Sequence, residues 1–253
     1  MSILPIWLLT ALTTPALEDL LAAVDDPAGT PATKKLALSN FAPLTISNII
    51  VQFSDLTGAG TYTPTAGMKK VLAIAVGGGG GGGGGIATDS AGGGGGGGGT
   101  VIRLMTAAQI GASKAYFVGA GGAAAGAGTA TTLDAAGALM NAGAGQQGTA
   151  GAGFSVVGVS VAGGAGGTAA NGDLNIPGQP GERGVIFDGT NGRPGSGGRS
   201  VFGRGGGRAG SNATGENGWQ YGGGGAGGHA SAGTDKPGAL GEDGLIYFLE
   251  FIG

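Results

Sequence analysis

The chain has 253 residues, 65 of them glycine and none cysteine, with one histidine and a formal net charge of −3 at pH 7. Without cysteine there is no disulfide framework or thiolate metal site, one histidine excludes the common multi-histidine zinc patterns, and the small negative charge leaves no global nucleic-acid footprint. Apolar residues make up 41% of the chain but aromatics only 6%, so a side-chain core would be thin and backbone hydrogen bonds must carry an unusual share of the stability.

Ile3 to Leu12 is apolar, has no Lys or Arg before it and contains Pro5. It reads as a partner-contacting segment rather than a secretory signal, and it falls short of the roughly 20 residues that cross a bilayer. Pro15 to Val24 is predicted as a short α-helix: Thr14 can cap it, Pro15 suits the first helical position, and Leu17, Leu20, Leu21 and Val24 form an apolar stripe. Turn chemistry follows from Asp25 to Pro31. A short strand is predicted over Lys35 to Ser39 and a second apolar segment over Thr45 to Phe53. Residues 1–55 are low in glycine and read as an attachment or oligomerisation module, and residues 56–253 as a glycine-rich domain.

In that domain Thr61 to Thr65 and Lys69 to Val76 are predicted as paired strands across Pro64 to Gly67. The second runs into nine consecutive glycines, Gly77 to Gly85. Eight more, Gly92 to Gly99, come after a six-residue break. Strands are predicted at Thr100 to Leu104, Ala115 to Val118 and Leu245 to Ile252. The expected fold is mainly β with irregular glycine-rich structure, a small β-sheet base plus a bundle of polyglycine II helices.

The reasoning for the bundle is steric. Glycine costs roughly 0.5 to 1 kcal/mol relative to alanine when ordered and buries no side chain. Its use here must therefore lie in what a missing Cβ permits. A polyproline II segment has three residues per turn, about 3.1 Å rise and no internal hydrogen bonds. Side by side, such segments can bond one another if the shared faces carry no Cβ. Gly145, Gly148 and Gly151 are spaced by three, as are Gly178, Gly181 and Gly184, and Gly189, Gly192, Gly195 and Gly198. The frames shift between segments and only ten prolines are present, unlike collagen.

Catalytic signatures are weak. No Gly-Lys-Ser/Thr ending and no strand-GxGxxG-helix unit followed by an acidic residue is present. Asp173, Glu182, Asp188, Glu216 and Asp235 offer no distinguished carboxylate pair. No serine elbow exists. The chain is expected not to be an enzyme and to need no cofactor or metal.

Two constellations point to binding. Arg183, Arg193, Arg199, Arg204 and Arg208 fall close together, and guanidinium forks suit carboxylates and phosphates; solubilising the outside of a bundle is the competing role. Glu216-Asn217-Gly218-Trp219-Gln220-Tyr221 resembles a sugar-stacking platform, with plugging of the bundle edge by Trp219 as its alternative. Side chains also return among the glycines at Ile86 to Ala91, Phe154 to Val161, Ser211 to Tyr221 and His229 to Lys236. The candidate binding residues in these constellations and interruptions are Trp219, Tyr221, Gln220, Asn217, Arg204, Arg208, Asp89, Ser90 and His229.

The order Gly60-Thr61-Tyr62-Thr63-Pro64, Lys69-Lys70-Val71-Leu72, polyglycine, Asn171-Gly172-Asp173-Leu174-Asn175-Ile176-Pro177-Gly178, Gly197-Gly198-Arg199-Ser200-Val201-Phe202-Gly203 and Phe251-Ile252 resembles the glycine-rich C-terminal domains of tailed-bacteriophage tail-fibre and receptor-binding proteins. Ala16-Leu17-Glu18-Asp19 to Asp25-Asp26-Pro27-Ala28-Gly29-Thr30 resembles N-terminal segments of phage virion proteins. The glycine runs are also similar to long-tail-fibre tip adhesins, although the N-terminus lacks the cleaved fibre-attachment domain expected of them. The resemblance implies a virion adhesin, a homotrimer or the cap of a trimeric fibre, and by position it makes the non-glycine interruptions, Ile86 to Ala91, Phe154 to Val161, Ser211 to Tyr221 and His229 to Lys236, its receptor contacts. Its partners would be a bacterial outer-membrane protein or surface glycan and other tail proteins, with neither nucleic acid nor membrane insertion. A structural virion or filament protein packing through bare glycine faces is the alternative. An ice-binding protein, the third possibility, would want a regular flat face of which Thr129, Thr131 and Thr132 give a fragment.

Overall fold

The computed structural model describes residues 20–25, 32–37, 48–86, 89–151, 160–188, 191–231 and 233–253. The chain divides into two compact units, residues 1–47 with Gly253, and residues 48–252. In the first, strand β1 (Leu20–Asp25) pairs antiparallel with β2 (Ala32–Ala37), Leu20 opposite Ala37 and Asp25 opposite Ala32. The predicted helix is therefore corrected over Leu20 to Val24, while Pro15 to Asp19 lie outside the described residues. Ten residues are too few for a stable isolated helix. The antiparallel ladder between β1 and β2 satisfies the backbone groups of Leu20 to Asp25 instead.

The second unit is mainly β, with several small antiparallel sheets, and among the described residues its α-helix is the four-residue Ala107–Ile110. One sheet has the order β13 (Leu174–Ile176), β7 (Thr100–Thr106), β5 (Met68–Val76), β17 (Leu245–Ile252), β3 (Asn48–Ser54). A second has the order β12 (Ala169–Ala170), β10 (Met140–Ala142), β9 (Thr131–Leu133), β8 (Lys114–Val118), β4 (Gly58–Tyr62). Two corrections follow. Residues 48–54, assigned from sequence to the N-terminal module, pair along their length with β17. Thr61 and Tyr62 pair with β8, not with Lys69 to Val76, because the chain crosses from one sheet to the other at the turn closed by Met68 N–H to Thr65 O, 3.1 Å.

The two sheets pack through Val71, Ala73, Ala75, Val101, Ile246 and Phe248 from the first, and Tyr62, Val118, Leu133 and Met140 from the second, all buried. Tyr62 stacks on Phe248 with ring centroids 4.0 Å apart. Glu250, also fully buried, accepts bonds from Tyr62 Oη (2.6 Å), Gln52 Nε2 (2.9 Å) and Thr65 N (3.2 Å). Burial and that carboxylate push the Tyr62 hydroxyl well above its ordinary pKa. Three donors around one carboxylate make its burial tolerable. The opposite face of the first sheet carries Phe53, Tyr247, Ile74, Ile102 and Leu174 in one cross-strand row. Val51, Leu249, Leu72 and Leu104 make the next.

Beyond β5 and β7 the glycine runs bond in strict rotation. Gly77, Gly80 and Gly83 donate to Gly99, Gly96 and Gly93; Gly78 and Gly81 to Thr129 and Gly126; Gly79, Gly82 and Gly85 to Glu242, Ala239 and Lys236, at 2.8–3.0 Å. The carbonyls of the same run accept from three further segments: from Gly145, Gly148 and Gly151, from Gly122 and Ala125, and from Gly225 and Gly228. Residues 92–99 behave alike, donating to 143–149, 179–182 and 222–228 and accepting from 77–83, 164–167 and 195–198.

A third run, 222–228, bonds to both of these and completes an inner trio. The outer segments close a ring around it, each bonded to the next. The ring runs from 126–129 to 120–122, 240–241, 218–219, 204–206, 196–197, 178–182, 164–167 and 145–146, and returns through Gly128 N–H to Gly145 O. A Cβ placed on any of residues 77–83 or 92–99 would lie only 1.9–2.3 Å from a backbone carbonyl oxygen of a neighbouring segment. That closeness is why these runs contain nothing but glycine.

Candidate functional site

The bundle has a sheet end, where the segments join the two sheets, and a loop end, to which the described residues 86, 89–91, 184–188, 191–193, 209–214, 229–231 and 233–236 belong. At the loop end β6 (Ser90–Ala91) pairs with β16 (His229–Ala230), His229 opposite Ala91. Gly85 and Lys236 exchange backbone bonds of 2.8 and 2.9 Å, and His229 N–H donates to Ala213 O at 3.0 Å. Beside them β11 (Ser160–Val161), β14 (Gly184–Ile186) and β15 (Gly192–Arg193) form a three-stranded sheet. Residues from three of the predicted contact loops are thus tied together, and part of the fourth enters through β11. Phe154 to Val159 lie outside the described residues.

Within this end the predicted residues divide by accessibility. Ser90 is fully buried and its Oγ donates to Ile86 O at 2.8 Å, so it braces its own loop instead of facing a ligand. His229 is also fully buried. Its Nδ1 accepts from Asn212 N–H at 3.0 Å, which leaves the proton on Nε2, and Nε2 has no partner. Gly192 closes over the ring, since a Cβ there would lie 2.6 Å from Nε2. Burial pushes the imidazole below its ordinary pKa, against the opposing pull of the Asp89 charge. Asp89, in a left-handed conformation at φ 55°, also has a buried Oδ1 without a partner. The side chains exposed at this end include Ile86, the first residue of a predicted contact loop, and Phe187, which sequence reasoning did not single out, at 48% and 53%. Arg208 makes an ion pair with Glu182 through Nε, at 2.9 Å, and through Nη2, which lowers the Glu182 pKa.

The Trp219 constellation is elsewhere. Arg204 and Trp219 exchange backbone bonds of 2.9 and 2.8 Å at the sheet end, with the guanidinium carbon 5.1 Å from the indole centroid. Trp219 is 57% exposed, Gln220 is exposed at φ 58°, and Tyr221 is half-buried with its ring 6.0 Å from that of Phe53. Asn217 Oδ1 accepts from Leu240 N–H at 3.1 Å, bracing the neighbouring segment. Between Tyr221 and His229 runs the inner segment 222–228. At about 3.1 to 3.4 Å per extended residue it separates the two groups by roughly 25 Å. They cannot contact one small ligand together.

Among the described residues no cluster of three or more His, Asp or Glu is placed to hold a metal ion, and no helix is long and apolar enough to cross a membrane. No protein-family model matches the chain, and none of the curated proteins does.

Proposed function

We propose that the glycine segments are polyglycine II helices forming a rigid bundle, and that the protein is a tailed-phage tail-fibre or tail-tip adhesin. On this reading it presents its loop end to a bacterial surface receptor, an outer-membrane protein or surface glycan. The bonding rotation of period three supports the first part, because it matches three residues per turn. The observation that carries the second is the convergence of the loops at one end of a continuously bonded rod, with Ile86 and Phe187 exposed there. Loops fixed in advance lose less entropy on binding. The sequence resemblance to tail-fibre proteins points the same way. The N-terminal segment attaches the adhesin, a homotrimer or the cap of a trimeric fibre, to the virion.

The alternative, lateral packing into a filament through bare glycine faces, is less well supported. In residues 162–168 Gly164 and Gly167 are buried while Ala162 and Ala165 are exposed, and in 177–183 the exposed positions are Pro177, Gln179, Pro180, Glu182 and Arg183. In these outer segments the glycine faces turn inward and are used within the chain.

The test is a titration of the purified full chain onto envelope fractions from a panel of bacteria. Saturable binding to some fractions is expected. Phe187→Ala with Ile86→Ala should weaken it at least ten-fold with unchanged thermal unfolding. Absence of binding to every fraction, or binding indifferent to both substitutions, would overturn the assignment to the loop end.

A further inference from the structure

His229 ties three parts of the loop end together. Its strand, β16, pairs with β6, where Ser90 Oγ holds Ile86 O. Its ring lies under Gly192, where an added Cβ would stand 2.6 Å from Nε2 and 2.7 Å from Ile186 Cδ1. Gly192 opens β15, opposite Ile186 of β14, and Phe187 follows directly. Third, His229 Nδ1 accepts from Asn212 N–H at 3.0 Å, and its own N–H donates to Ala213 O at 3.0 Å. Among the described residues, 209–214 make no hydrogen bond besides these two. One residue, through its ring and its backbone, fastens that segment.

The chemistry of the ring makes the Asn212 bond conditional. A neutral imidazole has one donor nitrogen and one acceptor, whereas an imidazolium has two donors and no acceptor. With the proton already on Nε2, the next one can add only to Nδ1, the atom that Asn212 N–H uses. The protonated ring therefore opposes Asn212 donor to donor, and their bond is lost. Among the charged groups around the ring, Asp89 comes from the β6 side, Asp188 and Arg193 from β14 and β15, and Asp235 and Lys236 from 233–236. The 209–214 segment carries none, and Arg208 before it is paired with Glu182. Of these charges Asp89 is the one that acts on the imidazole. Its buried Oδ1 has no partner, so it is the acceptor to which a donor-only ring turns.

We propose that His229 is a proton-operated latch on the loop end: a neutral ring fastens residues 209–214, and a protonated ring leaves Asn212 for Asp89 and sets the segment free. Because β6 and Gly192 pack on the same residue, this movement also loosens the seats of Ile86 and Phe187. Burial holds the imidazole below its ordinary pKa of about 6.5. The latch is accordingly closed at neutral pH and opens in acid, the range in which histidines operate switches. Receptor binding is then strongest at neutral pH and weakens in acid, a consequence that rests on the loop-end receptor reading, whereas the latch itself does not.

The chain has one histidine, so a single imidazole Cε1–H resonance of the full chain reports the titration. Hydrogen exchange of residues 209–214 reports the segment. His229→Asn offers Asn212 an acceptor that takes up no proton, and comparing the two chains at equal pH cancels the intrinsic pH dependence of exchange. At neutral pH exchange of 209–214 should agree within about two-fold. One pH unit below the resonance midpoint it should be at least ten-fold faster in the native chain, with residues 77–85 alike in both. Equal exchange there, faster exchange that extends to 77–85, or a resonance that does not move down to pH 4 overturns the latch. If His229→Asn does not fold, Asp89→Asn decides: it should move the resonance midpoint and the onset of exchange at least half a pH unit lower, and unmoved values overturn the proposal. Envelope binding should weaken at least ten-fold between the same two pH values in the native chain and less in His229→Asn. No binding even at neutral pH would overturn the receptor reading and leave the latch standing on exchange; a working latch with pH-independent binding would overturn its regulatory consequence.

Discussion

The inner runs of the bundle and the segments around them use glycine differently. Residues 77–85 and 92–99 bond outward in every direction, and every position is glycine. In the outer ring, 162–168 carries two glycines in three and 177–183 one in three, with the remaining positions turned to solvent. The third inner run, 222–228, has Ala226 as its one interruption. Glycine content thus follows how many sides of a segment are covered by other backbone. A covered side excludes Cβ, while an open side accepts any residue.

The largest expected effect comes from breaking an inner run. At Gly81 a Cβ would lie 1.9 Å from Ala123 O, and at Gly96 2.0 Å from Ala165 O. Neither obstacle is a flexible side-chain end, so whole segments must separate and their bonds lengthen. Overpacking that a core can absorb costs about 1–3 kcal/mol. Gly81→Ala and Gly96→Ala should each exceed that and prevent cooperative thermal unfolding. Gly210→Ala, with nothing within 4 Å, should leave the melt unchanged. Equal effects at Gly81 and Gly210 would remove the steric account.

Glu250→Ala comes next. It strands the buried Tyr62 hydroxyl and takes one acceptor from the half-buried Thr65 N–H and from Gln52 Nε2, which keeps Thr63 O, and should cost about 1–3 kcal/mol in urea unfolding, the range for one unsatisfied buried group. Glu250→Gln, which keeps one acceptor oxygen, should cost less than half as much. This is a side-chain hub, so its loss tests whether the sheets can fail while the bundle's backbone bonding persists.

Sequence patterns identified Lys69 to Val76 and Leu245 to Ile252 as strands because dense apolar runs beside turn residues leave few alternatives. They did not reveal that β4 pairs with β8, since a five-residue strand with two glycines and an alanine carries no register of its own. The 15–24 stripe misled because Leu20, Leu21 and Val24 suit a hairpin as well as a helix. The run 222–228 was not singled out as a third inner run, being shorter and interrupted by Ala226. At the candidate site, chain order grouped His229 with surface residues, whereas its burial comes from Asn212, Gly192 and β6, all distant in sequence. No local pattern reports a long-range enclosure.

His229 gives a smaller, pH-dependent effect. Its folded pKa is depressed by burial, so the unfolded chain takes up a proton first as pH falls. Stability present above about pH 6.5, the unfolded value, should decline below it and level off once pH passes the folded pKa. The slope cannot exceed about 1.4 kcal/mol per pH unit for one site. Burial raises the Glu242 pKa, with the neighbouring Asp243 adding to the shift, and that group works in the opposite sense at lower pH. Comparing urea midpoints of the native chain and His229→Asn between pH 7.5 and 5 cancels the Glu242 contribution. An identical pH dependence in both would show that the imidazole stays neutral for other reasons.

Trp219→Ala should have the least effect on folding. Its segment turns Gly218 toward the inner run, where a Cβ would meet Gly223 O at 2.2 Å, and Trp219 toward solvent. What is lost is mainly the stacking of Arg204, worth about 0.5–1 kcal/mol at an exposed site. That corresponds to a fall of roughly 1–4 °C in Tm for a domain of this size. Trp219 also lies at the opposite end of the bundle from Ile86 and Phe187, so envelope binding should be unchanged. A variant that melts normally yet loses binding would move the receptor contact to the sheet end, and would make the outward positions of the ring, rather than the loops beyond it, the surface on which this scaffold displays its chemistry.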